Sequence, residues 1–165
     1  MDIREVRISD AGELLALMKT VEMSNFMLFG PGERKTSEEA FRKHQSKLQE
    51  DTHSQIFVGE NHGELVGYMF ILGNTTARNR HSAYFVIGVK ESERGLGIGR
   101  QLFNEADLWA DKNGIHRLEL TVLTHNERAL SLYKKMGFEI EGTKRDSLFI
   151  DGMYRDEYYM SKIRN

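Results

Sequence analysis

The chain has 165 residues, 39% hydrophobic and 29% charged, a size and mix suited to one folded domain with a sizeable core. Its 23 basic and 25 acidic residues leave a formal net charge of −2, which gives no overall drive toward nucleic acid or an anionic membrane. It has no cysteine, which excludes disulfides, thiolate metal sites and a cysteine nucleophile.

Met1-Asp2-Ile3-Arg4-Glu5 is too polar for a signal peptide, and no apolar run approaches the ~20 residues of a membrane span. A soluble, cytoplasmic protein is expected. The first strand is expected over Ile3, Val6 and Ile8. Ser9 or Asp10 then caps a helix whose Leu14, Leu17, Met18 and Val21 recur at helical spacing. Gly30-Pro31-Gly32 holds the only proline and marks a turn, within a loop made unusually apolar by Met23, Phe26, Met27, Leu28 and Phe29. Ser37 opens a second helix, with Phe41, His44 and Leu48 on one side.

After Asp51-Thr52 the period shortens. Gln55–Glu60 and Leu65–Leu72 read as a hairpin around Asn61-His62-Gly63. Ser82–Val89 is a third strand of this group, and Gly88 inside it signals a bulge or a close backbone approach. Leu102, Ala106 and Trp109 mark the inner face of a helix that Asn113-Gly114 ends. Leu118, Leu120 and Val122 alternate as a strand, so this unit is a parallel crossover. Asn126 caps a last helix with Ala129, Leu132, Tyr133 and Met136 inward. Phe138–Thr143 and Asp156–Ile163 close the chain as strands, with a hairpin-type turn at Asp151-Gly152. The order is that of a mixed α/β domain.

Between the strand ending at Val89 and the next helix lies Arg94-Gly-Leu-Gly-Ile-Gly-Arg100. A glycine-rich turn that opens a helix offers unpaired N–H groups and a positive dipole end, and therefore an anion site suited to a pyrophosphate. Gly99 is followed by Arg100-Gln101, not the Lys-Ser/Thr of a triphosphate-binding loop. Gly95, Gly97 and Gly99 lack the Gly-x-Gly-x-x-Gly spacing of a dinucleotide fold, although a nicotinamide dinucleotide stays a third reading.

The spacing Arg-x-x-Gly-x-Gly over Arg94–Gly99 resembles the acetyl-CoA signature of the GNAT superfamily of N-acetyltransferases. Asn126-Glu-Arg-Ala-Leu-Ser-Leu-Tyr-Lys-Lys-Met-Gly-Phe138 resembles that family's second hallmark, and the two flank the Leu118–Val122 strand in the family's order. The resemblance implies an α/β fold of the α+β mixed kind. Its central, mostly antiparallel mixed sheet has about seven strands with a splayed parallel pair and is flanked by about four helices. It implies one N-acetyltransferase domain over residues 1–165.

By that resemblance, acetyl-CoA is the co-substrate and no metal takes part. Its pantetheine arm lies in the gap beside Ile87, Gly88 and Val89, with Gly88 at a bulge. Its pyrophosphate sits on Gly95, Leu96, Gly97, Ile98, Gly99 and Arg100, and Arg94 and Arg100 add charge-assisted contacts. Asn126 and Ala129 border the cofactor. A backbone N–H near Gly88 or Val89 steadies the developing negative charge. Tyr133 falls where the family places a general acid for the leaving thiolate; the bland alternative is a core tyrosine.

The family's strand glutamate is replaced by Ala83, so the base is open among His81, Tyr84, Glu119 and water. The remaining histidines show no ligand spacing. The tail, Glu141-Gly-Thr-Lys-Arg-Asp146 and Asp151 through Met160, is similar to the branch with ribosomal-protein N-terminal and polyamine acetyltransferases. The expected reaction is direct acetyl transfer to a primary amine, a protein N-terminus, a polyamine or another small amine, in a ternary complex. The acceptor is expected over Met23–Phe29 and a late loop Arg145–Tyr154, and an acidic pocket using Glu22, Asp146 or Asp156 would favour polyamines. No nucleic acid or membrane partner is implied, and a homodimer stays open. The alternative is a non-catalytic acyl-CoA-binding sensor or structural domain, motivated by the missing strand glutamate.

Overall fold

The computed structural model describes residues 1–165. In chain order its elements are β1 (Asp2–Glu5), α1 (Ala11–Glu22), α2 (Glu38–Glu50), β2 (Ser54–Asn61), β3 (Glu64–Gly73), β4 (Ser82–Val89), α3 (Ile98–Asn113), β5 (Arg117–Leu123), α4 (Glu127–Lys135), β6 (Glu139–Ile150) and β7 (Met153–Ile163). The strands form one sheet of 7 in the order β1-β2-β3-β4-β5-β7-β6. Every neighbouring pair is antiparallel except β4 and β5.

Local chemistry sets the element ends. The Ser37 hydroxyl accepts the Ala40 N–H at 3.1 Å, and Asn126 Oδ1 accepts the Ala129 N–H at 3.4 Å, so these two expected caps form. The cap expected of Ser9 or Asp10 does not, because Asp10 accepts from the Arg7 N–H and is held by Arg4. Gly114 ends α3 in the left-handed conformation, φ +64°. The two expected two-residue turns form at His62-Gly63 and Asp151-Gly152, each with positive φ at both positions.

Strand alternation sorts the core into two layers. Met69, Ile71, Ala83, Phe85, Leu118, Leu120, Val122 and Met160 face α3 and α4, around Phe103 and Tyr133. Ile56, Val58, Tyr68, Phe70 and Val86 face α1 and α2. Both helical layers are thus built from the alternation that the sequence shows.

Four further details depart from the sequence reading. The first strand stops at Glu5, and Ile8 lies exposed in a short 3₁₀ turn. On α2, His44 faces solvent and Gln45 is buried in its stead, because its Nε2 donates to the Arg7 carbonyl at 2.9 Å and so finds a partner inside. The segment Arg145–Tyr154 is a β-hairpin end, not a loop. The register shifts between Lys144 and Leu148, where Asp146 takes φ +49° and its N–H donates to Asp156 Oδ1 at 2.8 Å. Aspartate tolerates that conformation, so the strand continues beyond the irregularity.

The fourth concerns Gly88. The β3–β4 register runs without a shift from Gly67↔Val89 to Gly73↔Ala83, so there is no bulge. Gly88 answers a close approach: a Cβ there would stand 2.5 Å from the ring of Tyr68. Tyr68 is 0% exposed and its hydroxyl has no hydrogen-bond partner. A buried hydroxyl without a partner carries its desolvation cost uncompensated, so Tyr68→Phe is expected to stabilise the fold by about 1 kcal/mol. A thermal melt should register this as a rise of about 2–4 °C, and a lower melting temperature would show that the hydroxyl is satisfied in solution.

Candidate active site

The site begins where the sheet comes apart. β4 and β5 pair over only Ser82↔Arg117, Ala83↔Leu118 and Tyr84↔Glu119. Beyond Tyr84 they diverge, while β4 stays paired with β3 to Val89 and β5 stays paired with β7 to Leu123. The Lys90 N–H donates to the Val66 carbonyl at 2.8 Å, toward β3, and the His81 carbonyl accepts from His116 and Arg117, toward β5. Backbone groups alternate sides along a strand, so those of Phe85, Ile87 and Val89 point into the gap. The Gly88 N–H turns toward β3, which leaves Val89, of the two expected N–H donors, facing the gap.

The gap opens into a cleft of about 840 Å³, a size typical of small-molecule sites. Ile87, Gly88 and Val89 form one wall, and Leu120–Leu123 the other. The glycine turn and α4 close one end, and Phe26, Met27 and Leu28 cover another part. That apolar segment is fixed across the mouth: the Phe26 ring lies 5.3 Å from that of His125, Asn25 Nδ2 donates to Asp151 Oδ2 at 2.7 Å, and Arg34 stacks on Phe29 at 4.2 Å.

The glycine turn divides its labour. Gly95 and Gly97 have φ of +81° and +83°, which only glycine adopts freely, and space beside them is open. Gly99 is different: a Cβ there would stand 2.7 Å from Leu132, so this glycine seats the start of α3 against α4. No backbone carbonyl accepts from any N–H between Gly95 and Arg100. These groups, at the positive end of a helix of 16 residues, form an anion-binding concavity. Arg94, Arg100, Arg128 and Lys135 line the same cleft, and none of them has a salt-bridge partner. Of the expected cofactor residues, Ile87, Gly88, Val89, Arg94, Gly95, Gly97, Ile98, Gly99, Arg100, Asn126, Ala129 and Tyr133 line the cleft. The Leu96 side chain turns to solvent, 60% exposed, so only its backbone faces the anion site.

Tyr133 is buried, wedged by Phe103 edge-to-face at 5.8 Å and by Phe138 at 6.3 Å. Its ring lines the cleft, and its hydroxyl has no protein partner. Burial, aided by nearby Tyr84, pushes its pKa well above the usual tyrosine value, which keeps the proton on the oxygen. The phenol is therefore a neutral donor.

The three base candidates separate. Tyr84 lines the cleft, and its hydroxyl is tied to Thr121 Oγ1 at 2.8 Å. His81 is exposed, beside His116, and does not reach the cleft. Glu119 also lies outside it, held by Arg117 Nε at 2.8 Å in a network that holds the Glu141 carboxyl down at about 2. Glu119 shares its rung with Tyr84, but its carboxylate is drawn to Arg117, back along β5 and away from the gap, and His81 precedes the first rung of the β4–β5 ladder. Glu22, Asp146 and Asp156 do not line the cleft either. Two acids do, Glu93 at the glycine-turn end and Glu157 on β7, and the sequence reading missed Glu157. Its only signal was its odd spacing from inward-facing Met160, and that becomes readable once Leu123↔Glu157 pairing is known.

The acetyltransferase (GNAT) family matches residues 18–138, which contain the splayed strands, the glycine turn and α4. An L-amino acid N-acetyltransferase of Escherichia coli (strain K12) is 36% identical over 106 residues, covering 62% of this chain and 64% of that protein. The match thus spans less than two thirds of that relative's length. A GNAT-family acetyltransferase from Streptococcus pneumoniae superposes with a TM-score of 0.93 at 30% identity, covering 99% of each chain. A ribosomal-protein-alanine N-acetyltransferase from Brucella melitensis superposes with a TM-score of 0.87 at 26% identity, covering 99% of this chain and 100% of that one. The splayed sheet, the open glycine turn and these matches agree: the chain belongs to the acetyltransferase (GNAT) family.

Proposed function

We propose that this protein transfers an acetyl group from acetyl-CoA directly to a primary amine, with both substrates bound at once. One observation carries the reading. A single cleft joins an unpaired strand edge, a run of free N–H groups at a helix start and a neutral buried phenol. These fit the three parts of the co-substrate: amides, pyrophosphate and thioester sulfur.

Bound acetyl-CoA supplies an activated acyl thioester. The chain supplies the rest. Backbone groups of Ile87 and Val89 offer pairing partners to the pantetheine amides, which orients the thioester between the strands. The N–H groups of Gly95–Arg100, with Arg94 and Arg100, hold the pyrophosphate. Tyr133 holds a proton at its hydroxyl for the departing sulfur. No cysteine exists to carry the acetyl group, and the transfer is direct. The acceptor nitrogen is that of a protein N-terminus or another small amine, reaching the gap beneath Phe26–Leu28.

The test is thiol release from acetyl-CoA against a panel of peptides, amino acids, alkylamines and polyamines. Turnover on at least one amine is expected. Tight acetyl-CoA binding with no turnover on any amine would restore the sensor reading, and preference for NAD over CoA would overturn both.

A further inference from the structure

Glu157 sits opposite Leu123, the last residue of β5, on the sheet face turned away from α3 and α4. It therefore approaches the gap from the side opposite Tyr133. Glu157 Oε1 accepts from Ser147 Oγ at 2.5 Å, which fixes the carboxylate, and its other oxygen has no partner. Lys144 stands opposite it on β6 but does not reach ion-pair distance, and no other cation pairs with it. The other acid on the cleft, Glu93, belongs to the glycine-turn end and accepts from Asn61 Nδ2 at 3.2 Å. Leu123 is the cross-strand neighbour of Glu157, and the cleft that Glu157 lines also carries the apolar side chains of Phe26, Met27, Leu28 and Val86.

We propose that Glu157 is the acceptor-ammonium site, and that the acceptor carries a single primary ammonium on an apolar body. This rests on the N-acetyltransferase reading above. A half-buried carboxylate on a largely apolar cleft, with one oxygen unpartnered, gains most from a cation that brings its own hydrogen bonds. The surroundings reject other amines. A polycation needs a second acid, but Glu22 is buried and held by Arg34 at 2.8 Å, and Asp156 is engaged by the Asp146 N–H. A free amino acid needs a cation for its carboxylate, but the cleft's cations lie on the glycine turn and α4. At the site the ammonium nitrogen gives one proton to the Glu157 carboxylate. This leaves a neutral amine with its lone pair, and the carboxylic acid later returns that proton to solvent. Ser147 acts as a positioning residue for this carboxylate.

The experiment compares wild type with Glu157→Gln, using hexylamine, a leucine-initiated tripeptide, free leucine and spermidine across pH. Wild type is expected to favour hexylamine or the tripeptide over free leucine and spermidine. Which of the two it favours tells a free amine from a peptide source. Glu157→Gln should leave the KM for acetyl-CoA and the melting temperature unchanged and lower kcat/KM for the amine about 100-fold near neutral pH. That gap should narrow as pH approaches the amine's own pKa, about 10 for hexylamine and about 8 for the tripeptide, since free amine then forms without help. An equal loss at every pH, an unchanged kcat/KM, or a preference for spermidine or leucine would overturn the proposal. Calorimetric titration of hexylamine into CoA-saturated protein separates the two readings. Binding that needs Glu157 without turnover keeps the ammonium site and removes the transferase reading, while no binding overturns the site.

Discussion

Tyr133→Phe is expected to lower kcat about 100-fold or more while the KM for acetyl-CoA stays within about twofold, the pattern of a lost general acid. The asymmetry comes from where the hydroxyl stands. The ring supplies the packing against Phe103 and Phe138, and phenylalanine keeps it. The hydroxyl has no protein partner, so its removal leaves nothing in the fold unpaired. The melting temperature should therefore hold while turnover falls. An unchanged kcat across pH would return Tyr133 to the role of a core tyrosine and leave the thiolate to water.

Phe103→Ala is the stability counterpart. Phe103 is 2% exposed and touches three rings, with centroids at 5.8 Å from Phe85, 5.8 Å from Tyr133 and 5.5 Å from Phe138. Truncating a buried phenylalanine to alanine costs about 3–5 kcal/mol, a large share of the roughly 5–15 kcal/mol that holds a domain folded. Denaturant unfolding should show that loss in the midpoint without a change in slope. Phe103→Leu should recover most of it. A loss below about 1 kcal/mol would mean that Phe85 and Phe138 close the space.

Much of the fold was legible because periodicity and turn chemistry spoke for the same elements. The hairpin at His62-Gly63, the caps at Ser37 and Asn126 and the inner faces of α3 and α4 are all local signals. What stayed illegible depends on partners distant in sequence. Gln45 is buried because the Arg7 carbonyl waits for it, and His44, one residue earlier, is not. Gly88 was marked as unusual, but the cause was Tyr68 on the neighbouring strand, not a bulge.

The site divides in the same way. The proposed anion end lies within one continuous stretch, Arg94–Arg100, and could be read there. The proposed acceptor end is assembled from β4, β5, β7 and the Phe26–Leu28 segment, and no spacing links Glu157 to Tyr84. His81 and Glu119 are near the glycine turn's strand in sequence and registry, yet His81 precedes the ladder and Arg117 draws Glu119 away from the cleft.

The divergence of β4 from β5 also writes a pattern in time. Ile87 and Val89 direct their amides into the open gap, while Gly88 and Lys90 direct theirs to β3. Hydrogen exchange in the free protein should therefore be fast, slow, fast, slow along four consecutive residues of a single strand. A ligand lying along that edge should slow only the fast ones, so that amide exchange reads which side of one strand is touched.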